Sequence, residues 1–214
     1  MSQAIITAII IVSDFDGTIT KKDGLYSFIE KYAKEGWEQI ERDWANGKIS
    51  SKECLIEEFQ LVPDLSEELI SSFIKTIAID DSFKNFYETI SKKEIDFCIV
   101  SDGIDYFINN ILKQNGLHDI SIISNRGYFR GEFFELEFPN DYSGCLNNAG
   151  TCKCKVVSDL KQEYKKVVYI GDGVSDYCVA NKVDILYAKS RLLDYCKDKG
   201  IECISYNSFA DIQL

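Results

Sequence analysis

The chain has 214 residues, 45% hydrophobic and 28% charged, which is enough to bury one full core or a core with an insert. A net charge of −11, with no basic run longer than pairs such as Lys165-Lys166, argues against nucleic acid or an anionic membrane surface as the main partner. Eight scattered cysteines and no secretory leader lead us to expect reduced thiols in the cytoplasm.

The apolar run from Ala4 to Val12 is too short to span a bilayer and is interrupted by Thr7, so "IITAIIIVS" predicts a buried strand. It runs into "SDFDGT", where Asp14 and Asp16 stand one residue apart. Neighbouring carboxylates repel, and a turn or cap would explain them only in part; a cation or an anionic substrate makes the pair useful. At the strand tip Asp14 is placed to attack phosphorus. Asp16 is placed to protonate the leaving oxygen and later to deprotonate water. Gly17 lets the chain turn, and Thr18 offers a hydroxyl.

Residues 21–79 carry helical patterns only: "LYSFIEKYA", "WEQIERDWA", "SSKECLIEEFQLV" and "SEELISSFIKTI". Ser50 and Ser66 are expected N-caps, and Ser50, with Glu53 three residues on, alone completes a capping box. Trp37 and Trp44, seven apart, share a face whose default role is packing. This segment predicts a helical cap over the site.

Helical spacing from Asp80 to Lys93 leads into the strand "DFCIVS" and then "SDG". The Ser101 hydroxyl, with the N–H groups of Asp102 and Gly103, is expected to hold phosphate oxygens at the start of a helix running from Ile104 to Asn115. His118 follows a helix end and suits a capping or surface role. After the strand "ISIIS", residues 125–150 predict a small insert: a hairpin, "GYFRGEFFELEF", turning at Arg130-Gly131, and a Gly/Asn-rich loop. Cys145, Cys152 and Cys154 lie close in sequence, but their spacing is not a standard zinc pattern.

A phosphoryl intermediate needs a fixed cation, and Lys153 and Lys155 in "TCKCKVV" are the candidates. A helix from Lys155 to Tyr164 precedes the strand "KVVYIG". Next comes "GDGVSD", in which Asp172 suits Mg2+ as a hard oxygen ligand. Asp176 is expected to bind the ion through water or to buttress Asp172. A helix from Val174 to Lys182 and a weaker strand, "VDILYA", complete the alternation. The fold class expected is α/β, a doubly wound, Rossmann-like parallel sheet with the helical cap inserted after the first strand. The core then comprises residues 1–20 and 80–214, and its ligand lies beyond the carboxyl ends of the strands.

"DFDGTIT", the serine of "VSDG", a helix-opening lysine and "GDGVSD" stand in the order and spacing found in phosphatases of the haloacid dehalogenase superfamily, which the chain resembles over most of its length. The resemblance implies Asp14 as nucleophile, Asp16 as acid/base, and Mg2+ held by Asp14, the Asp16 carbonyl and Asp172, with Asp176 nearby. It also aligns Lys153 better than Lys155 with the family lysine. Within the superfamily the chain is similar to the phosphoserine phosphatase-like group and above all to the methionine-salvage phosphatases. The latter likeness is carried by "EFPNDYSGCLNNAGTCK", "IGDGVSDYCVANKVDILYAK" and "YCKDKGIECISYNSFADI".

Two departures bear on the substrate. Asp23 and Glu58 stand where phosphoserine phosphatases hold serine with Glu and Arg, which disfavours phosphoserine. Asp102 replaces the glycine of the salvage phosphatases, and phosphoethanolamine/phosphocholine phosphatases carry Asp there. The expected activity is Mg2+-dependent hydrolysis of a small phosphorylated metabolite, a hydroxyketo-methylthiopentenyl phosphate before a cationic phosphoester. The rival from another class is a non-catalytic phosphate-binding or phospho-acceptor domain, against which Asp16 argues.

Overall fold

The computed structural model describes residues 9–145 and 148–213. The predicted strand at Ile5 to Ala8, and the loop positions Leu146 and Asn147, therefore lie outside the described residues. The first strand, β1, is Ile10–Ser13, fully buried. Four helices follow: α1 (Gly24–Tyr32), α2 (Trp37–Ala45), α3 (Ser51–Gln60) and α4 (Glu67–Ile74). Both serine caps form: Ser50 makes the reciprocal capping box with Glu53, and Ser66 accepts from the Leu69 N–H. The ends of this helical segment are zipped together, because Lys21 N–H donates to Ala78 O (2.9 Å) and Asp80 N–H donates to Ile19 O (2.8 Å).

The chain then alternates through α5 (Phe83–Lys92), β2 (Asp96–Ile104), α6 (Asp105–Gln114), β3 (Ser121–Arg130), β4 (Phe133–Glu137), α7 (Lys153–Glu163), β5 (Val167–Gly171), β6 (Ile185–Ala188), α8 (Ser190–Lys199) and β7 (Ile204–Ser205). These strands form one sheet in the order β4-β3-β2-β1-β5-β6-β7, parallel except for the β3–β4 hairpin. "ISIIS" and the first arm of the hairpin are one continuous strand. The fold is the expected α/β, doubly wound architecture.

Strand β1 lies at the centre, where the chain order reverses between β2 and β5, and such a switch point opens a crevice at the carboxyl ends. Alternation along each strand feeds two cores. Ile11, Val168 and Ile170 pack with α5, α6 and the inner faces of α1, α3 and α4, whereas Val12, Val167 and Tyr169 pack with Val157 of α7 and Leu192 and Cys196 of α8. Phe28 of α1 meets Phe107 of α6 edge-on at 5.2 Å, and Phe59 of α3 stacks on Phe134 of β4 at 5.3 Å. The helical segment is thus fixed over one side of the sheet by aromatic contacts. Among the described residues no helix is long and apolar enough to cross a membrane.

Three expectations need correction. Strand β2 does not stop at Ser101 but continues through a bulge between Val100 and Ile104, and Ile104 is the N-cap of α6. The residues from Val174 onward form a single 3-10 turn, Val174–Asp176, followed by irregular turns. The reason is local: the Asp176 carboxylate accepts from the Asp172 and Gly173 N–H groups and ties the chain into a tight loop (3.0 and 3.1 Å). Helix α7 opens at Lys153 rather than Lys155. The exposed position of His118 beyond the end of α6 is the surface one of its two expected roles.

Candidate active site

Parallel register sets the spacing of the site. Ser13 is level with both Ile99 of β2 and Ile170 of β5, so Asp14 leaves the sheet beside Ser101 and Asp172. Its N–H still donates to Ile170 O at 2.9 Å, which holds the residue on the strand tip. Asp14 is 5% exposed; its Oδ1 accepts from the Phe15 N–H (2.7 Å) and its Oδ2 pairs with Lys153 Nζ (2.8 Å).

Lys153, on the first turn of α7, is 2% exposed and reaches three partners: Asp14, Asp176 Oδ1 (2.7 Å) and Ser175 Oγ (2.9 Å). Burial alone would lower its pKa, but the two carboxylates reverse that and hold it above the ordinary value, so Lys153 is a permanent cation. Lys155 instead pairs with Asp159 at the surface. Of the two candidates, only Lys153 touches Asp14.

Asp176 is wholly buried, and its four lone-pair sites are taken. Oδ1 accepts from Lys153 and from Tyr169 Oη (2.6 Å), and Oδ2 accepts from two backbone N–H groups. Those bonds tie Asp176 to the lysine, to β5 and to the loop that carries Asp172. Asp172 is partly exposed and accepts from Thr18 Oγ1 at 2.7 Å. Ligand oxygens of Asp14, Asp172 and Asp176 all lie within 4.8 Å of one another. Burial, then repulsion from Asp176, raises the pKa of Asp14 despite Lys153. Asp172 is raised as well, by burial first. Three carboxylates facing one buried lysine leave an excess of negative charge.

Asp16 lies between two glycines. Its Oδ1 accepts from the Gly24 N–H at 2.8 Å, and a Cβ on Gly103 would sit 2.9 Å from its Oδ2. Burial, followed by the field of Asp23, lifts its pKa to about 8, so it holds its proton at neutral pH. Gly17 has φ +74°, and a Cβ there would come within 2.5 Å of Asp172 Oδ2. Only glycine meets both demands.

Ser101 is buried in the bulge, and its Oγ accepts from the Gly103 N–H at 2.9 Å. Asp102 is committed elsewhere. Its Oδ1 accepts from the Thr151 N–H (2.8 Å) and from Asn125 Nδ2 (3.1 Å), while Thr151 Oγ1 donates to Asn125 Oδ1 (3.1 Å). The carboxylate fastens the loop ahead of α7, and the loop in turn reaches α3 through Gly150 N–H to Ser51 Oγ (2.9 Å). The carboxylate expected to face the substrate is thus engaged by Thr151 and Asn125 through Oδ1.

Asp23 is exposed and caps α1 by accepting from the Tyr26 N–H at 2.9 Å. Glu58 is buried within α3 beside Cys54 and Glu41, and not in the group of Asp14, Asp172 and Asp176. The trio Cys145, Cys152 and Cys154 is not among the ligand groups formed by the described residues. Sequence reasoning missed Tyr169 and Ser175 on Asp176 and Lys153. It also missed Lys189, whose Nζ donates to Thr18 O at 3.3 Å and lies 5.1 Å over the Tyr206 ring. Lys189 directly follows β6 at the same sheet edge, which is the one signal that could have pointed to it.

Comparison with known proteins agrees with this geometry. The family described as "Putative Phosphatase" matches residues 9–189. A 2-hydroxy-3-keto-5-methylthiopentenyl-1-phosphate phosphatase of Bacillus pumilus (strain SAFR-032) is 32% identical over 95% of this chain and 89% of its own length. The protein of the same name from Exiguobacterium sibiricum is 33% identical over 94% of this chain and 93% of its own. Among solved structures, "Phospho-Aspartyl Intermediate Analogue of Phosphoserine phosphatase" superposes with a TM-score of 0.69 at 20% identity, covering 96% of this chain and 97% of that one. The matched span places the chain in the "Putative Phosphatase" family, with the fold of that phosphoserine phosphatase structure.

Proposed function

We propose that the chain is a Mg2+-dependent phosphomonoesterase that works through an aspartyl-phosphate on Asp14, with 2-hydroxy-3-keto-5-methylthiopentenyl-1-phosphate as its substrate. The observation that carries the mechanism is the 2.8 Å contact of Lys153 with Asp14 inside a buried carboxylate cluster. The lysine offsets part of the burial and repulsion that oppose ionisation of the nucleophilic carboxylate. The substrate is supported by relatives named for that ester that align along nearly the whole chain.

In the first half-reaction an Asp14 oxygen attacks phosphorus, and the bond from phosphorus to the ester oxygen breaks. Asp16, which carries its proton at neutral pH, hands it to the departing oxygen. In the second, Asp16 takes a proton from the water that attacks the acyl phosphate, and Asp14 is restored with release of inorganic phosphate. Lys153 balances the phosphoryl charge throughout, and the Ser101 hydroxyl, held by the Gly103 N–H, is assigned to a phosphate oxygen. The donor set fits Mg2+: hard carboxylate oxygens within 4.8 Å, and an Asp14 that Lys153 alone does not restore to its ordinary pKa. Asp14, Asp172 and the Asp16 carbonyl would hold the ion, which supplies charge neutralisation at the phosphoryl group.

Gly17→Ala tests the support of Asp172. With φ +74° and a Cβ 2.5 Å from Asp172 Oδ2, the variant should lose more than about 1 kcal/mol of stability. It should also need more Mg2+ for half-maximal rate. An unchanged Mg2+ dependence, measured by titration at saturating substrate, would count against Asp172 as a ligand.

The acidic side of the site disfavours a leaving group that carries a carboxylate, because the field of Asp23 reaches Asp16, Glu41 and Glu58. Phosphate release should be compared for the salvage ester, phosphoserine, phosphoethanolamine and phosphocholine. The salvage ester is expected to show the highest kcat/KM and phosphoserine the lowest; a preference for phosphoserine would defeat the assignment. Asp102→Asn keeps an oxygen for Thr151 while removing the charge, so it should change kcat/KM by a similar factor for every ester. A loss confined to the cationic esters would restore the amine reading of that residue.

A further inference from the structure

A second set of ligands lies in the helical segment. Cys54 and Glu58, four residues apart, share one face of α3, and Glu41 reaches them from α2. Ligand atoms of all three lie within 4.8 Å of one another. Glu58 is 4% exposed and Cys54 5%, so neither is a solvated surface group. Glu58 Oε1 is buried and has no hydrogen-bond partner among the described residues. Burial, then Glu41, lifts the pKa of the Glu58 carboxyl to about 8, and its open oxygen beside a second carboxyl and a thiol is a place for a cation in exchange for protons. Glu41 is partly exposed, which gives an ion a way in from solvent.

Packing shows what such an ion would add. Helix α2 places no residue fully in the core. Its Trp37 meets Tyr26 edge-on at 5.5 Å and packs at the margin of the aromatic cluster, yet Glu41 turns toward the most buried polar group of α3. A helix held so weakly by apolar contact gains most from a direct tie to its neighbour.

We propose that Glu41, Cys54 and Glu58 form a second metal site, which takes a borderline-soft divalent cation of the Zn2+ class and clips α2 to α3. The mixed set of one sulfur and two carboxylates suits that class, and the sulfur argues against Mg2+. Three protein ligands leave a fourth position for water. Binding releases the thiol proton of Cys54 and any proton shared by Glu41 and Glu58, so affinity should rise with pH. Its three ligands are distinct from the group formed by Asp14, Asp172 and Asp176.

The test uses the full chain stripped of metal, with Zn2+ and Co2+ as probes. Native protein should bind Zn2+ at a site that survives Asp172→Ala, and Co2+ should give a thiolate-to-metal charge-transfer band. Cys54→Ser should abolish the band. Glu58→Gln keeps the shape of the side chain while removing an oxygen ligand, so it should fold, with an unchanged circular dichroism spectrum. It should weaken Zn2+ by at least the roughly 10–100-fold that loss of even an outer-shell partner costs. Zn2+ should raise the melting temperature of native protein and not that of Glu58→Gln. The proposal fails if no thiolate band appears, which would leave the two glutamates as a pair sharing a proton. It fails equally if the band persists in Cys54→Ser, or if Zn2+ raises native and Glu58→Gln melting temperatures alike.

Discussion

Asp14→Asn is expected to lower turnover by a factor on the order of 10⁴ or more while leaving the fold as stable as the native one, or more so. The amide keeps the shape of the carboxylate and loses its nucleophilicity, so the chemical step has no attacking group. Stability follows from the sign of the pKa shift. Burial first, and then Asp176, raise Asp14 above its ordinary range, and Lys153 only partly offsets them. A carboxyl whose folded-state pKa lies above its unfolded value costs stability at every pH above that unfolded value. At neutral pH the neutral amide therefore removes a cost, while Lys153 retains Asp176 and Ser175. Urea midpoints of the two proteins, read beside the rate of phosphate release, check both halves. A variant as active as native, or one that loses activity only because it unfolds, would count against Asp14 as nucleophile.

Lys153→Ala and Lys155→Ala should part company sharply. Lys153 is 2% exposed and is the counter-charge for two buried carboxylates, so its removal leaves Asp14 and Asp176 uncompensated. Breaking a buried pair in this way costs about 3–5 kcal/mol. For a chain of this size that is a fall in melting temperature on the order of 10 °C, together with loss of turnover. Lys155 holds Asp159 in an exposed i,i+4 pair, and pairs of that kind contribute about 0.3–0.5 kcal/mol. Its variant should melt within a degree or two of native, as about 2–4 °C accompanies each kcal/mol at this length, and should keep its activity. Differential scanning calorimetry with a phosphate-release assay on both variants decides the matter, and equal losses in both would contradict the placement of Lys153.

What could be read from the residues was whatever a buried strand delivers to its own tip. The apolar runs of β1 and β5 end at Asp14 and Asp172, and parallel pairing brings those tips to one edge. Lys153 was harder, because nothing local separates it from Lys155; one turns inward to Asp14 and the other outward to Asp159, a difference of helix phase. Contacts made across the sheet were not legible. Tyr169 is a strand residue whose hydroxyl caps Asp176, and Lys189 arrives from β6.

Asp102 shows the limit most clearly. Its place beside the phosphate serine suggests contact with substrate, but Thr151 and Asn125, 49 and 23 residues away, claim its carboxylate. The apolar spacing after Val174 suggests a helix, yet Asp176 draws the backbone N–H groups of Asp172 and Gly173 to itself, and local side-chain bonding overrides the pattern. Helix α8 does carry sequence signals: Leu192 and Cys196 four apart on its buried face, and Gly200 at its C-cap with φ 65°.

The central claim, a phosphoryl group carried on Asp14, is tested most directly by trapping it. Native enzyme turning over the preferred ester with Mg2+ would be quenched with borohydride, which reduces an acyl phosphate to the alcohol, and then digested for mass spectrometry. Conversion of residue 14 to homoserine in the native protein, and none in Asp14→Asn, is the predicted result. Phosphate release with no modified residue, or with the mark on Asp16, Asp172 or Asp176 instead, would contradict it.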